Sequence, residues 1–289
     1  MTTQAAGGPT PEGLLLIDKP AGITSHDAVA KVRRAVGTRK VGHAGTLDPM
    51  ATGLLVMGVG RATRFLRFLG ELPKRYEATL RLGVETTTLD ADGEPTRTAP
   101  VDVGDDELRA AAAGLLGDSM QRPPAYSAVK VGGRRLHEAA RAGVPIEAAP
   151  RPVRVDHLEV AARRGDDVDL VVVCSGGTYV RVLAADIGSA LGCGAHLVAL
   201  RRTAVGAFEV ADASAPDDPG PPAPIERAVA HLPHIVLDDL ESTAAGHGRA
   251  LAPAGIEGPY AVFADDGRLI GVWRDDAGKA RPLVVLQGG

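Results

Sequence analysis

The sequence predicts an α+β protein, one large unit of interleaved strands and helices followed by a small β-rich one. Three observations carry this. Residues 74–86 (KRYEATLRLGVET) alternate Tyr76, Ala78, Leu80 and Leu82 with polar neighbours, the period-two pattern of a half-buried strand. ITSHDAVAKVRRAVG places Ala28, Val29, Val32 and Val36 on one helical stripe. ADASAPDDPGPPAPIE (211–226) holds five prolines and three aspartates with no apolar period, which reads as a linker. The length of 289 residues suits one large domain with a small partner.

The elements follow in order. MTTQAAGGPTPE (1–12) lacks a basic-then-apolar leader pattern and reads as a disordered tail. GLLLIDKP is a buried strand closed by Lys-Pro, and the helix after it takes Thr24 or Ser25 as cap and Gly37 as stop. GLLVMGVG (53–60) is a second buried strand. ATRFLRFL continues as a helix with Phe65, Leu66 and Leu69 inward and Arg64 and Arg67 outward. DDELRAAAAGLLG (105–117) is a helix whose acidic first turn suits the dipole. From 122 to 152, prolines at both ends, a Gly-Gly break and a short basic helix (134–142) mark an excursion from the core. Strands 153–162 and 168–174 form a hairpin about Gly165-Asp166-Asp167. A Gly-Gly turn, a helix (180–191) and a further strand from His196 complete the large unit at residue 210. In 227–289, short apolar runs are split by Gly and Asp, and the Asp-Asp-Gly between PYAVF and LIGVW is a hairpin signal.

Composition is that of a globular protein, 45% hydrophobic and 24% charged, without an apolar run long enough for a membrane span. Cys174 and Cys193 have no metal spacing, and the histidines do not cluster, so no metal is expected. The net charge of −4 conceals a division. Residues 31–75 carry ten basic residues against Asp48 and Glu71, and residues 122–154 carry seven against Glu138 and Glu147. Such local density reads as a polyanion-binding surface.

Chemistry concentrates in three places: Gly42–Leu55 around Asp48, Lys74-Arg75-Tyr76, and Cys174–Arg181 with Tyr179. No second carboxylate lies in the Asp48 stretch, which poorly serves a glycosidase. No nucleophile elbow occurs, and GVGRAT is not a P-loop. What remains is a single carboxylate acting on a sugar or base, with an arginine to keep it ionised.

LLLIDKPAGITSHDAV, VGHAGTLDPMATGLL, KRYEATLRLG, RPPAYSAVKVGGRRLHEAAR and CSGGTYVRVLAADIG together resemble, in order and spacing, the blocks of the bacterial TruB-type family of tRNA pseudouridine synthases. The resemblance runs from about residue 13 to 210. It implies a pseudouridine-synthase fold with a mixed, largely antiparallel sheet, a mobile thumb at 122–152, and a C-terminal RNA-binding domain similar to the PUA type. It implies conversion of uridine to pseudouridine at position 55 in the tRNA T loop, by base flipping and without a cofactor or metal. By motif match, Asp48 is the catalytic carboxylate, Arg181 its buried partner and Tyr76 the residue stacking on the base. Tyr179 and Leu200 line the pocket, and His43 holds the T loop open. Lys19, Arg39, Lys40, Arg64, Lys130, Arg134, Arg135 and Arg141 are the expected RNA backbone contacts. The partner is the tRNA T stem-loop, in the cytoplasm, for a monomer needing no protein partner. An RNA-binding or tRNA-folding module independent of catalysis is the alternative. A sugar hydrolase using Asp48 is disfavoured by the missing second carboxylate. A subunit of a guide-RNA particle is disfavoured by the lack of long basic tails.

Overall fold

A computed structural model describes residues 11–144 and 146–286; most of the tail expected at 1–12 lies outside the described residues. Strand β1 (Gly13–Lys19) leads to helix α1 (Ser25–Val36), then to β2 (Val41–His43) and β3 (Thr52–Val59). Thr24 caps α1 in a reciprocal capping box with Asp27, and Gly37 ends it in the left-handed conformation. Ala28, Val29 and Val32 pack on Leu15, Ile17, Leu55 and Met57 of β1 and β3. A 3-10 turn over 60–65 and α2 (Leu66–Gly70) precede β4 (Lys74–Leu82). Phe68 is buried there while Leu66 is only half-buried, because the chain enters α2 through the 3-10 turn and shifts the inward face.

Beyond β4 come the hairpin β5 (Val84–Thr86) and β6 (Pro95–Thr98), α3 (Asp105–Ala113) and β7 (Gly117–Gln121). The excursion follows as a two-residue-per-arm hairpin, β8 (Lys130–Val131) and β9 (Arg134–Arg135), and α4 (Leu136–Arg141). The helix expected from 134 starts two residues later. Gly132 and Gly133 both take positive φ, and that pair of conformations closes a tight hairpin which claims Arg134 and Arg135 as a strand. Strands β10 (Arg151–Arg164) and β11 (Asp167–Cys174), α5 (Val180–Ala190), β12 (Ala195–Val205) and β13 (Phe208–Glu209) complete this part.

The main sheet has the order β1-β3-β12-β4-β11-β10-β7, with β2 added on β3 and β13 on β12. All its pairs are antiparallel except β12 with β3, which meet at Arg201–Thr52 and Arg202–Gly53. The inward residues of β4, β11 and β12 pack against α3 and α5. This alternation places Tyr76 and Leu200 on the covered face.

The segment 211–226 does not hang free. Leu16 and Asp18 exchange backbone hydrogen bonds with Ser214, and Leu14 with Ala223. Since β1 is an edge strand, its outer polar groups need partners, and a proline-rich extended chain supplies some without adding another sticky edge.

Residues 234–286 form a second sheet, β14 (His234–Leu237), β15 (Pro259–Ala264), β16 (Leu269–Asp276) and β17 (Lys279–Val285), in that order. The hairpin at Asp265–Gly267 falls where the sequence placed it. Helix α6 (Asp239–Gly246), between β14 and β15, was not foreseen, although Asp238 accepts from the Glu241 N–H as its cap. One apolar cluster unites the two sheets' surroundings, with Phe65, Phe68 and Val205 against Leu269, Val272 and Leu286.

Candidate active site

The loop between β2 and β3 presents Asp48 at a cavity of about 310 Å³ that Lys74, Tyr76, Arg151, Tyr179, Arg181 and Leu200 also line. Its entry is clasped by Ser25, whose hydroxyl accepts from the Leu47 N–H and donates to the Leu47 carbonyl, both at 2.9 Å. Its exit needs Gly53, with φ +101°, because a Cβ there would lie 2.3 Å from the Arg202 carbonyl. The close approach that Gly53 permits is thus one of the chain's own backbone. Arg202, almost fully buried, ties the loop to β12 by donating to the Leu54 carbonyl at 2.7 Å and the Gly45 carbonyl at 3.1 Å.

Arg181, on the first turn of α5, is the hub. Its Nε stands 3.0 Å from an Asp48 carboxylate oxygen, an ion pair without an aligned hydrogen bond, and its Nη1 stands 3.1 Å from Asp90. Nη1 and Nη2 also donate to the Thr88 and Tyr126 carbonyls at 2.8 and 2.9 Å. Asp90 is the residue that sequence reading missed. It lies in the turn-rich TTLDADGEP, far along the chain from Asp48, and no motif signals it. Leu89 adopts φ +63°, an uncommon conformation for its type, where the backbone delivers both the Thr88 carbonyl and the Asp90 carboxylate to one guanidinium.

Arg181 favours the ionised form of Asp48, as expected, but burial outweighs it. Burial raises the Asp48 pKa above its ordinary 3.8; Arg181 opposes this, and Asp90 and Asp92 add to it. A guanidinium that also serves Asp90 does not fully offset the desolvation of Asp48. Both Asp90 carboxylate oxygens are engaged: the side chain is 5% exposed, with one oxygen on Arg181 and the other accepting from Thr88 and the Asp92 N–H.

Tyr76 and Leu200 form the cavity floor on adjacent strands, 7% and 8% exposed. Burial raises the Tyr76 phenol, which stays protonated. Tyr179 immediately precedes α5, and Gln121 holds both its backbone groups, accepting from N–H at 2.7 Å and donating to the carbonyl at 3.1 Å. His43 is not in this cavity. It sits with Arg33, Arg39 and Lys40 in a neighbouring groove, edge-on to His26 at 5.9 Å. Burial, His26 and Arg202 push it down to about 4, so it is neutral at physiological pH.

The basic residues divide. Lys19 is fully buried and its ammonium donates to the Pro20, Ile23 and Pro49 carbonyls, so it supports the Asp48 loop and cannot reach a phosphate. Burial lowers it to about 8. Arg64 donates to the Val285 carbonyl at 2.6 Å, and Arg67 to the Leu283 carbonyl at 2.9 Å, which fastens β17 to the main unit. Lys31, Arg61 and Arg75 pair with Asp217, Glu12 and Glu209. The charge count over 31–75 therefore overstated the free cations, because their partners are distant in sequence. Arg39, Lys40, Lys130, Arg134 and Arg141 are exposed, and Arg135 lies near Glu138 at 3.9 Å. Lys130, Arg135 and Arg141 line a second cavity, of about 620 Å³, on the other side of Asp48.

A family model described as the N-terminal domain of TruB family pseudouridylate synthase matches residues 33–180. The chain belongs to the TruB family. Models of the family's C-terminal regions match residues 181–217 and 232–287. The chain is 48% identical to the tRNA pseudouridine synthase B of Mycobacterium sp. strain KMS over 95% of this chain and 96% of that protein. It is 46% identical to that of Mycobacterium tuberculosis strain CDC 1551 / Oshkosh, over 98% and 97%. Among solved structures, the archaeal box H/ACA Nop10–Cbf5 complex is similar with a TM-score of 0.73 at 27% identity, covering 96% of this chain and 86% of that one. An H/ACA particle bound to a substrate RNA containing 2′-deoxyuridine gives 0.71 at 25%, covering 99% and 92%. As a TruB-family pseudouridine synthase, the chain is an isomerase with the mixed, largely antiparallel sheet and C-terminal unit of its relatives.

Proposed function

We propose that this chain converts uridine 55 of the tRNA T loop to pseudouridine, with Asp48 as the catalytic carboxylate. The Asp48–Arg181 ion pair at the mouth of a cavity floored by Tyr76 and Leu200 carries the reading. The isomerisation breaks the bond from C1′ to N1, turns the base, forms the bond from C1′ to C5, and moves the C5 proton to solvent while N1 gains one. Nothing is oxidised and the atoms balance. Asp48 acts at the ribose, on C1′ or on the C2′ proton, and either role needs its ionised form. The base must leave its stack to reach the cavity, at a cost of a few kcal/mol, offset by contact with the Tyr76 ring and by phosphate contacts. Arg39, Lys40, Lys130, Arg134 and Arg141 supply such contacts, since their charges reach solvent. The thumb over 122–152 closes on the T arm, and the protein works as a cytoplasmic monomer without an obligatory partner.

Asp48→Asn in a purified-enzyme assay on T stem-loop RNA tests the assignment. Pseudouridine formation is expected to fall by about 10²–10⁴-fold, with RNA binding retained. Conversion at the wild-type rate refutes it.

A further inference from the structure

Four cations line the Asp48 cavity, and three are spent internally. Arg181 serves two carboxylates and two carbonyls. Arg202 ties the Asp48 loop to β12, and Lys74 donates to the Gly70 and Leu72 carbonyls. Arg151 is different. Among the described residues no carboxylate lies within 4.0 Å of it, and its Nε is buried without a hydrogen-bond partner. A buried donor left unpaired costs about 1–3 kcal/mol, and such a group in a native fold calls for an explanation. The side chain is nevertheless held firmly. Its Nη2 donates to the Gly177 carbonyl at 2.9 Å, and its guanidinium lies 4.9 Å from the centre of the Tyr179 ring. It also sits where β10 begins, opposite Gln121 at the end of β7, so both ends of the 122–152 excursion grip Tyr179.

We propose that Arg151 binds a phosphate flanking the flipped nucleotide through its guanidinium, which lines the cavity without a carboxylate partner among the described residues. This rests on the reading of the chain as an RNA uridine isomerase. Depth selects phosphate over base. Tyr76 and Leu200 are buried, as the floor for a base requires, while Arg151 lines the same cavity half-buried, as a contact to a backbone that stays in solvent requires. An unneutralised guanidinium held in place by the Gly177 carbonyl and the Tyr179 ring is suited to a phosphate oxygen. Arg151 is thus a substrate-binding residue, distinct from the exposed lysines and arginines on the outer surface.

A protein–RNA double-mutant cycle tests this. Wild type, Arg151→Met and Arg151→Lys are assayed in single turnover on T stem-loop RNA, unmodified or carrying one neutral methylphosphonate, placed 5′ or 3′ of the target uridine. Melting temperatures establish that each variant is folded. In wild type, methylphosphonate at one of the two positions is expected to lower kcat/KM about tenfold or more. Arg151→Met loses a similar factor on unmodified RNA and loses little further from the modification at that position. Arg151→Lys, keeping the charge, recovers part of the loss, and it carries the cycle if the methionine variant does not fold. Penalties that multiply at both positions overturn the proposal, because Arg151 then only supports Gly177 and Tyr179. Wild type inert on unmodified RNA instead overturns the function reading, and this inference with it.

Discussion

Asp48 and Asp90 share one guanidinium, and Asp48 titrates under its burial first, with Arg181 opposing that shift and Asp90 adding to it. Its raised pKa means that the folded state disfavours the charged form. Activity carried by the ionised carboxylate therefore falls, as pH drops, at a higher pH than the ordinary value of 3.8 would give. The linked stability term runs the other way. The folded state holds this proton more tightly than the unfolded chain, so the contribution favouring the fold is present at low pH and is lost as pH rises from 3.8 through the raised value. Asp48→Asn removes that cost, and its melting temperature at neutral pH is expected not to fall; a drop of several degrees would contradict the electrostatic account. Asp90→Asn should move the acid limb of the kcat/KM profile to lower pH, since one like charge leaves Asp48's surroundings. An unmoved acid limb would show that Asp90 does not act on Asp48. At this scale the sequence made Asp48 and Arg181 legible because both stand in dense motifs. It hid Asp90, because a turn aspartate acquires meaning only when the fold brings it to a guanidinium from another element.

At the scale of elements, strands were legible where alternation was clean, as in β4, and turns where glycine chemistry was unambiguous, as between β15 and β16. Helix limits were less so, since the Gly132-Gly133 hairpin took two residues from α4. The arginines around α2 illustrate the remaining gap. Outward-facing cations read as a nucleic-acid surface, yet Arg64 and Arg67 reach carbonyls of β17, an edge strand whose free acceptors no local pattern reveals. Arg64→Ala with Arg67→Ala should therefore lower stability by about 1 kcal/mol per lost hydrogen bond, and speed proteolysis between the two sheets. The slope of log Kd against log salt for tRNA should stay unchanged, whereas removing a true phosphate contact reduces it by about one per residue. A reduced slope with unchanged stability would return both residues to the RNA surface.

For the whole molecule, the question is whether the C-terminal unit is an appendage or part of the fold. Composition favours an appendage, because a proline- and aspartate-rich stretch separates it from the rest. Packing argues otherwise. The 211–226 stretch covers the edge of β1 through Ser214 and Ala223, and the shared cluster sets Leu14, Phe65, Phe68, Leu69 and Val205 against Ala261, Leu269, Val272, Val284 and Leu286. No helix among the described residues is long and apolar enough to cross a membrane, so this joint apolar surface has no membrane-spanning helix beside it. Burial of a single Leu, Val or Phe side chain stabilises by about 1.5–3 kcal/mol, and total domain stability is only about 5–15 kcal/mol. A chain ending at residue 226 loses the partner surface of at least five such side chains. It is expected to be insoluble, or to melt more than ten degrees below the full chain on the usual relation of about 2–4 °C per kcal/mol for domains of this size, and it should lose isomerase activity for that reason before any loss of RNA contacts matters. Restoring 227–289 as a separate chain should recover part of the stability, because the missing contribution is an interface. A soluble 1–226 chain melting at the full-length temperature would instead make the C-terminal unit an independent RNA-binding module.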